Sequence, residues 1–170
     1  MPLMLNQKLL AIAGVMCSVG CTTWDSEVVF PEGFTSSFIT VHECQPSGAH
    51  VAADYVVTWL SPEGEEAWAS MMEGVTAGAE PTDLPVGTVL VKAQYDDSDC
   101  SQLSGYTAME KLEPNSNPEL GDYRWQFVDA DGSCKDCNAK TECSGCHAAP
   151  NCGAAFPYVC TSPTSEAVTP

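Results

Sequence analysis

The five residues Cys143-Ser144-Gly145-Cys146-His147 constrain this chain more than any other stretch. Two thiols separated by two residues and followed at once by an imidazole form the C-x-x-C-H pattern of a c-type haem attachment site. The chemistry needs that spacing. The thiols add to the two haem vinyl groups, and the adjacent His is then placed under the iron as its proximal ligand. The competing reading is a disulfide-bonded loop that ends in His by coincidence, because the chain holds 10 Cys and 3 His.

The N-terminus bears on the compartment. Lys8 supplies a positive start, and Leu9 to Val19 is a short apolar run, as in a secretory signal. That run is too short to cross a bilayer, which takes about 20 residues. It closes in Ser18-Val19-Gly20-Cys21, which resembles a bacterial lipobox and implies cleavage before Cys21 and lipidation of its thiol. Ordinary cleavage nearby, giving a soluble periplasmic protein, is the plainer alternative. The expected organisation is a lipoprotein signal over residues 1–20, an anchor and spacer over 21–30, a haem domain over 31–160 and a disordered tail over 161–170. The expected location is the bacterial cell envelope, on the outer membrane, facing the periplasm or the exterior. Contact with the membrane is then through the lipid alone.

An oxidising compartment suits the remaining cysteines. With Cys17 assigned to the signal, Cys21 to the lipid and Cys143 with Cys146 to one covalent haem c, Cys44, Cys100, Cys134, Cys137, Cys152 and Cys160 are left. An even remainder fits up to three disulfides, and the pairing stays open. Cys134, Cys137, Cys143 and Cys146 could alternatively hold zinc, but the gap between the two C-x-x-C pairs is shorter than is usual for a zinc ribbon.

Residues 21–170 suffice for one domain with a real core. Six Lys and Arg against 23 Asp and Glu give a formal net charge of −17. Such a surface repels phosphate backbones, which argues against nucleic acid as a partner. A basic redox protein is a compatible partner.

The strong segments read as strands: Phe38 to Val41, Tyr55 to Leu60, Gly87 to Lys92 and Tyr123 to Val128. All are rich in β-branched and aromatic residues. Asp129-Ala130-Asp131-Gly132 is a turn signal, and Pro114 to Pro118 is a loop by composition. One helix is expected from Ser61-Pro62-Glu63, with Ser61 as N-cap and Ala67, Trp68, Met71 and Met72 recurring at helical spacing. The expected fold is mainly β (α+β): an antiparallel sheet with short helices and a C-terminal haem-attachment loop.

The order of these pieces resembles the cytochrome P-460 and cytochrome c′-beta family. Val56 to Glu63 is a strand running into a Pro-led helix with Trp68. Gly87 to Lys92 resembles the family's G-T-V-x-V-K strand. Gly105 to Lys111 precedes the Trp125 strand, and C-x-x-C-H lies near the C-terminus. The resemblance covers residues 31–160. It implies a small, sheet-rich, usually dimeric haem protein with thioethers on Cys143 and Cys146 and His147 as proximal ligand to the haem iron. It implies a small gaseous or nitrogenous ligand, with oxidation of hydroxylamine or nitric oxide in the enzymatic members. It also points to Lys92, which in cytochrome P-460 is joined to a haem meso carbon; the plainer reading is a solvated Lys at a strand end. Strand alternation puts Lys92 on one face with Thr88 and Leu90, opposite Val89 and Val91. Enzymatic members use a distal carboxylate, and Glu110 is the nearest carboxylate in the matching stretch, although alternation can turn it away.

The Cys134/Cys137 pair and the Cys152/Cys160 pair depart from the family pattern and read as added staples. No second axial ligand declares itself. His42 and His50 read as surface or loop residues, and Met71, Met72 and Met109 as core. Three functions follow: a lipid-anchored mono-haem protein that binds nitric oxide or a related nitrogen compound and in some members oxidises hydroxylamine; an electron-transfer cytochrome; and a haem-free, disulfide-rich structural or binding lipoprotein. Haem staining separates the last from the others, and the ferrous spin state separates the first two.

Overall fold

A computed structural model describes residues 27–47, 53–77, 83–147 and 158–160. The signal segment, Cys21, His50, Cys152 and the C-terminal tail lie outside the described residues. Within them the chain forms a six-stranded antiparallel sheet in the order β1-β2-β3-β4-β5-β6, each strand pairing with its neighbours in sequence. The strands are β1 Ile39–Pro46, β2 Tyr55–Leu60, β3 Val89–Tyr95, β4 Leu103–Lys111, β5 Tyr123–Asp129 and β6 Cys134–Asp136. Two short helices, α1 Glu65–Ala77 and α2 Lys140–His147, complete a mainly-β, α+β fold.

The two faces of the sheet follow from alternation. On the first, Leu60, Leu90, Met109 and Trp125 face each other across β2 to β5 and are buried with Trp68 and Met71 of α1 and Cys143 of α2. On the second, Val91, Val89, Ala108 and Val128 pack against Phe30 and Phe34. Gln126, fully buried, stitches residues 27–29 to that second face: its side chain accepts from the Val29 amide at 2.9 Å and donates to the Glu27 carbonyl at 2.7 Å.

The entry to α1 differs from the expected N-cap. A 3-10 turn, Pro62–Gly64, precedes the helix, and Ser61 makes no capping hydrogen bond. Its hydroxyl instead accepts from the Val89 amide at 3.0 Å, while the Ser61 amide donates to the Val89 carbonyl at 2.8 Å. Ser61 thus extends the β2–β3 pairing. Gly64 is required there, since a Cβ would lie 2.5 Å from the Thr88 methyl.

The C-x-x-C-H stretch is not a loop. Cys143, Cys146 and His147 ride on α2, whose first turn carries Glu142, suited to the helix dipole, and whose last turn carries His147. Two anchors start this helix. A Cys134–Cys137 disulfide closes the turn after β6, and the Ala139 amide donates to the Trp125 carbonyl at 3.0 Å. A second disulfide, Cys44–Cys100, with Cα atoms 6.0 Å apart, ties β1 to the β3–β4 connection.

Candidate functional site

Cys143 and Cys146 are the cysteines that stand outside disulfides among the described residues. Cys160 is also disulfide-bonded. The disulfide at Cys134 and Cys137 occupies two of the four sulfurs that a zinc reading requires, and no group of three or more His, Cys, Asp or Glu side chains is placed to hold a bare ion among the described residues. The two thiols sit three residues apart on α2, within one helical turn. Cys143 is buried against the sheet and Cys146 is exposed. Burial, followed by the nearby Glu142 and Asp136 carboxylates, pushes the Cys143 thiol up to about 12, so it stays protonated.

His147 lies one turn beyond Cys143, on the same side of α2. Its ring meets the edge of Trp125, with centroids 4.5 Å apart. Its Nδ1 is 2.8 Å from the backbone carbonyl oxygen of Tyr158. A carbonyl only accepts, so Nδ1 carries the proton and donates, leaving the lone pair on Nε2. Burial holds the imidazole below its ordinary pKa; the Tyr158 bond opposes that shift, and the Lys92 charge adds to it. A neutral ring with an oriented Nε2 is the form that binds metals.

The same face carries Lys92. Across the sheet, Thr58, Lys92, Thr107 and Phe127 stand opposite one another in register, and His42 pairs with Thr58 at the edge. Lys92 lies on the Leu90 face, away from Val89 and Val91, as alternation requires. Burial depresses its pKa to about 8. In that row His42, Lys92, Thr107 and Phe127 are half-buried and Thr58 is buried, while Leu60, Leu90, Met109 and Trp125 in the adjacent row are covered. Among the described residues this row is less fully covered than the next.

Two residues fall elsewhere than the sequence suggested. Glu110 pairs with Val89 and Arg124, on the opposite face from Lys92, and its carboxylate lies 3.8 Å from the Arg124 guanidinium. It is not brought to the His147 side. His42 is not a loop residue: it sits half-buried in β1, with a buried Nε2 that has no hydrogen-bond partner among the described residues. Burial, and secondarily the Lys92 charge, lower its pKa. Met71 and Met109 are core, as expected, and Met72 packs against them.

Neither a family model nor a curated protein matches this chain.

The residues present fit a covalently held haem. Two thiols outside disulfides share one helix turn, an imidazole is tautomerically fixed beside them, and a half-covered strip with an orphaned buried nitrogen adjoins it. Cys143 and Cys146 would hold the group, and His147 would face its iron.

Proposed function

We propose that this chain is a mono-haem c-type protein of the bacterial envelope that binds nitric oxide or a related small nitrogen compound. The observation that carries the reading is the combination on α2: Cys143 and Cys146 stay outside the disulfides, and the Tyr158 carbonyl fixes the Nδ1 proton of His147. When bound, the haem supplies an iron that takes a diatomic ligand. The chain's own residues do the rest. The thiols anchor, His147 offers one nitrogen, and Trp125 holds that ring by its edge. Met71 and Met109 are buried in the core, so neither is available as a second strong ligand. The lipid anchor at Cys21, the envelope location, a redox partner and a homodimer belong to this proposal on the sequence and the resemblance alone.

Covalent attachment is tested by haem staining of denatured protein made in a host with attachment machinery. Stain should be retained by the wild type and lost in Cys143→Ala with Cys146→Ala. A wild type that never stains sinks the proposal in favour of a haem-free lipoprotein. A reduced spectrum that is high-spin and shifts on adding nitric oxide is expected; an unreactive low-spin spectrum favours electron transfer.

Oxidation of hydroxylamine is a second reading, favoured by one observation. The depressed pKa of Lys92 gives it a neutral amine fraction near neutral pH, and a neutral amine is a nucleophile. Against it, Glu110 faces away, so the carboxylate that the resemblance offered is not on this face. Binding without turnover therefore stands first. Peptide mapping of the holoprotein should return a Lys92 peptide free of haem; one that carries haem, with a strongly red-shifted Soret band, reverses the order.

A further inference from the structure

β1 carries an irregularity between Thr40 and His42. A bulge places two successive residues on nearly the same side of a strand. Its consequence is visible in the packing: Val41 contacts the core beneath α1 and α2, while His42, the next residue, faces Thr58 and feels the charge of Lys92. Without the irregularity, alternation would send one of the two to the far face.

The sheet order then locates His42 relative to the site. His147 lies over Trp125 on β5, Lys92 rises from β3, and His42 rises from β1. At about 4.8 Å per strand spacing, β1 and β5 are roughly 19 Å apart, with β3 midway. A group held by His147 and extending over Lys92 has its other side toward β1. That is where the buried Nε2 of His42 is found, without a hydrogen-bond partner among the described residues. A buried polar atom with no partner is costly, and a bound polar atom would relieve that cost.

We propose that His42 makes the polar contact to a small ligand bound on the side of the haem that faces β1. This rests on the haem reading above. His42 thereby takes the position for which a carboxylate was sought in Glu110, and it does so as a neutral hydrogen-bonding group. Lys92, which shares this face with Thr58 and Thr107 and carries its charge, is the rival donor, and the test separates the two.

The experiment uses reduced holoprotein with carbon monoxide and nitric oxide as probes. In the wild type the carbon monoxide adduct should show a lowered C–O stretching frequency, as a hydrogen-bond donor produces. His42→Leu should raise that frequency and speed nitric oxide dissociation by roughly fivefold to tenfold, the size of one hydrogen bond. His42→Gln, which keeps a donor, should recover part of both. The spectrum of each variant without ligand should be unchanged, which checks the fold of the site. An unchanged frequency in His42→Leu overturns the proposal, as does a shift produced by Lys92→Met and not by His42→Leu. A low-spin wild type that becomes high-spin in His42→Leu also overturns it, since His42 would then be an iron ligand. Protein that carries no haem fails the staining test first, so the two failures are told apart.

Discussion

The Cα of Gly121 abuts the ring of Tyr158, so closely that a Cβ built on the glycine would clash with Cδ2 of the tyrosine. The same Tyr158 offers its carbonyl to His147 at 2.8 Å. The carbonyl of Gly121 itself accepts from the buried ammonium of Lys111 at 2.7 Å, and that ammonium also pairs with Asp83 and sits 4.7 Å from the centre of the Tyr123 ring. The β4–β5 connection is thus a firm seat for the residue that orients His147.

Gly121→Ala should disturb this seat. The residue has φ of +64°, unfavourable for Ala, and the added methyl displaces the Tyr158 ring. A loss of about 1–3 kcal/mol is expected in urea titration. In holoprotein, the iron–histidine stretching frequency should fall as the Tyr158 bond lengthens. An unchanged frequency alongside a destabilised fold would limit Gly121 to a packing role.

Lys92 makes stability depend on pH in a direction that can be worked out. Its folded pKa, about 8, lies below the ordinary Lys value near 10.4, so the unfolded chain binds the extra proton between them. The group therefore destabilises the fold fully below about 8, and the penalty fades as pH rises toward 10.4. Lys92→Met should raise the Tm of haem-free protein at pH 7, and the gain should shrink by pH 10. A gain that is flat across that range contradicts the burial argument.

The Cys44–Cys100 bridge closes a loop of sequence separation 56 and holds the strand that carries His42. The chain-entropy relation gives roughly 4 kcal/mol for a loop of that length. Cys44→Ser with Cys100→Ser should lower the urea midpoint accordingly. Loss should be much smaller for the Cys134–Cys137 pair, which closes a separation of only 3.

Cys21 lies outside the described residues, and its prediction rests on Ser18-Val19-Gly20-Cys21 alone. Cys21→Ser should move the protein from the membrane fraction to the soluble envelope fraction. Unchanged partitioning removes the lipid from the proposal.

Much of the sheet was legible because its signals are local. β2 matches the expected Tyr55 to Leu60 at both ends, and the face of Lys92 followed from alternation. The helix at Cys143 was not legible: Gly145 and closely spaced Cys mask its periodicity, and its start depends on the distant Trp125 carbonyl. Ser61 was misjudged for the same reason, since its partner is Val89 in another strand. His42 was missed because a bulge changes which face a residue takes without leaving a mark in the hydrophobic pattern. The role of Tyr158 depends on a contact with His147 that no motif encodes.

Every strand pairs with the one before it, mostly across short connections although α1 lies between β2 and β3, and α2 follows all six strands in the chain. Local pairings cost little loop entropy and form early. The thiols of α2 are therefore made last, onto a scaffold that does not wait for them. If haem is attached as proposed, its addition comes at one end of the sheet, and an apoprotein that keeps its strands while losing the order of α2 is the expected precursor.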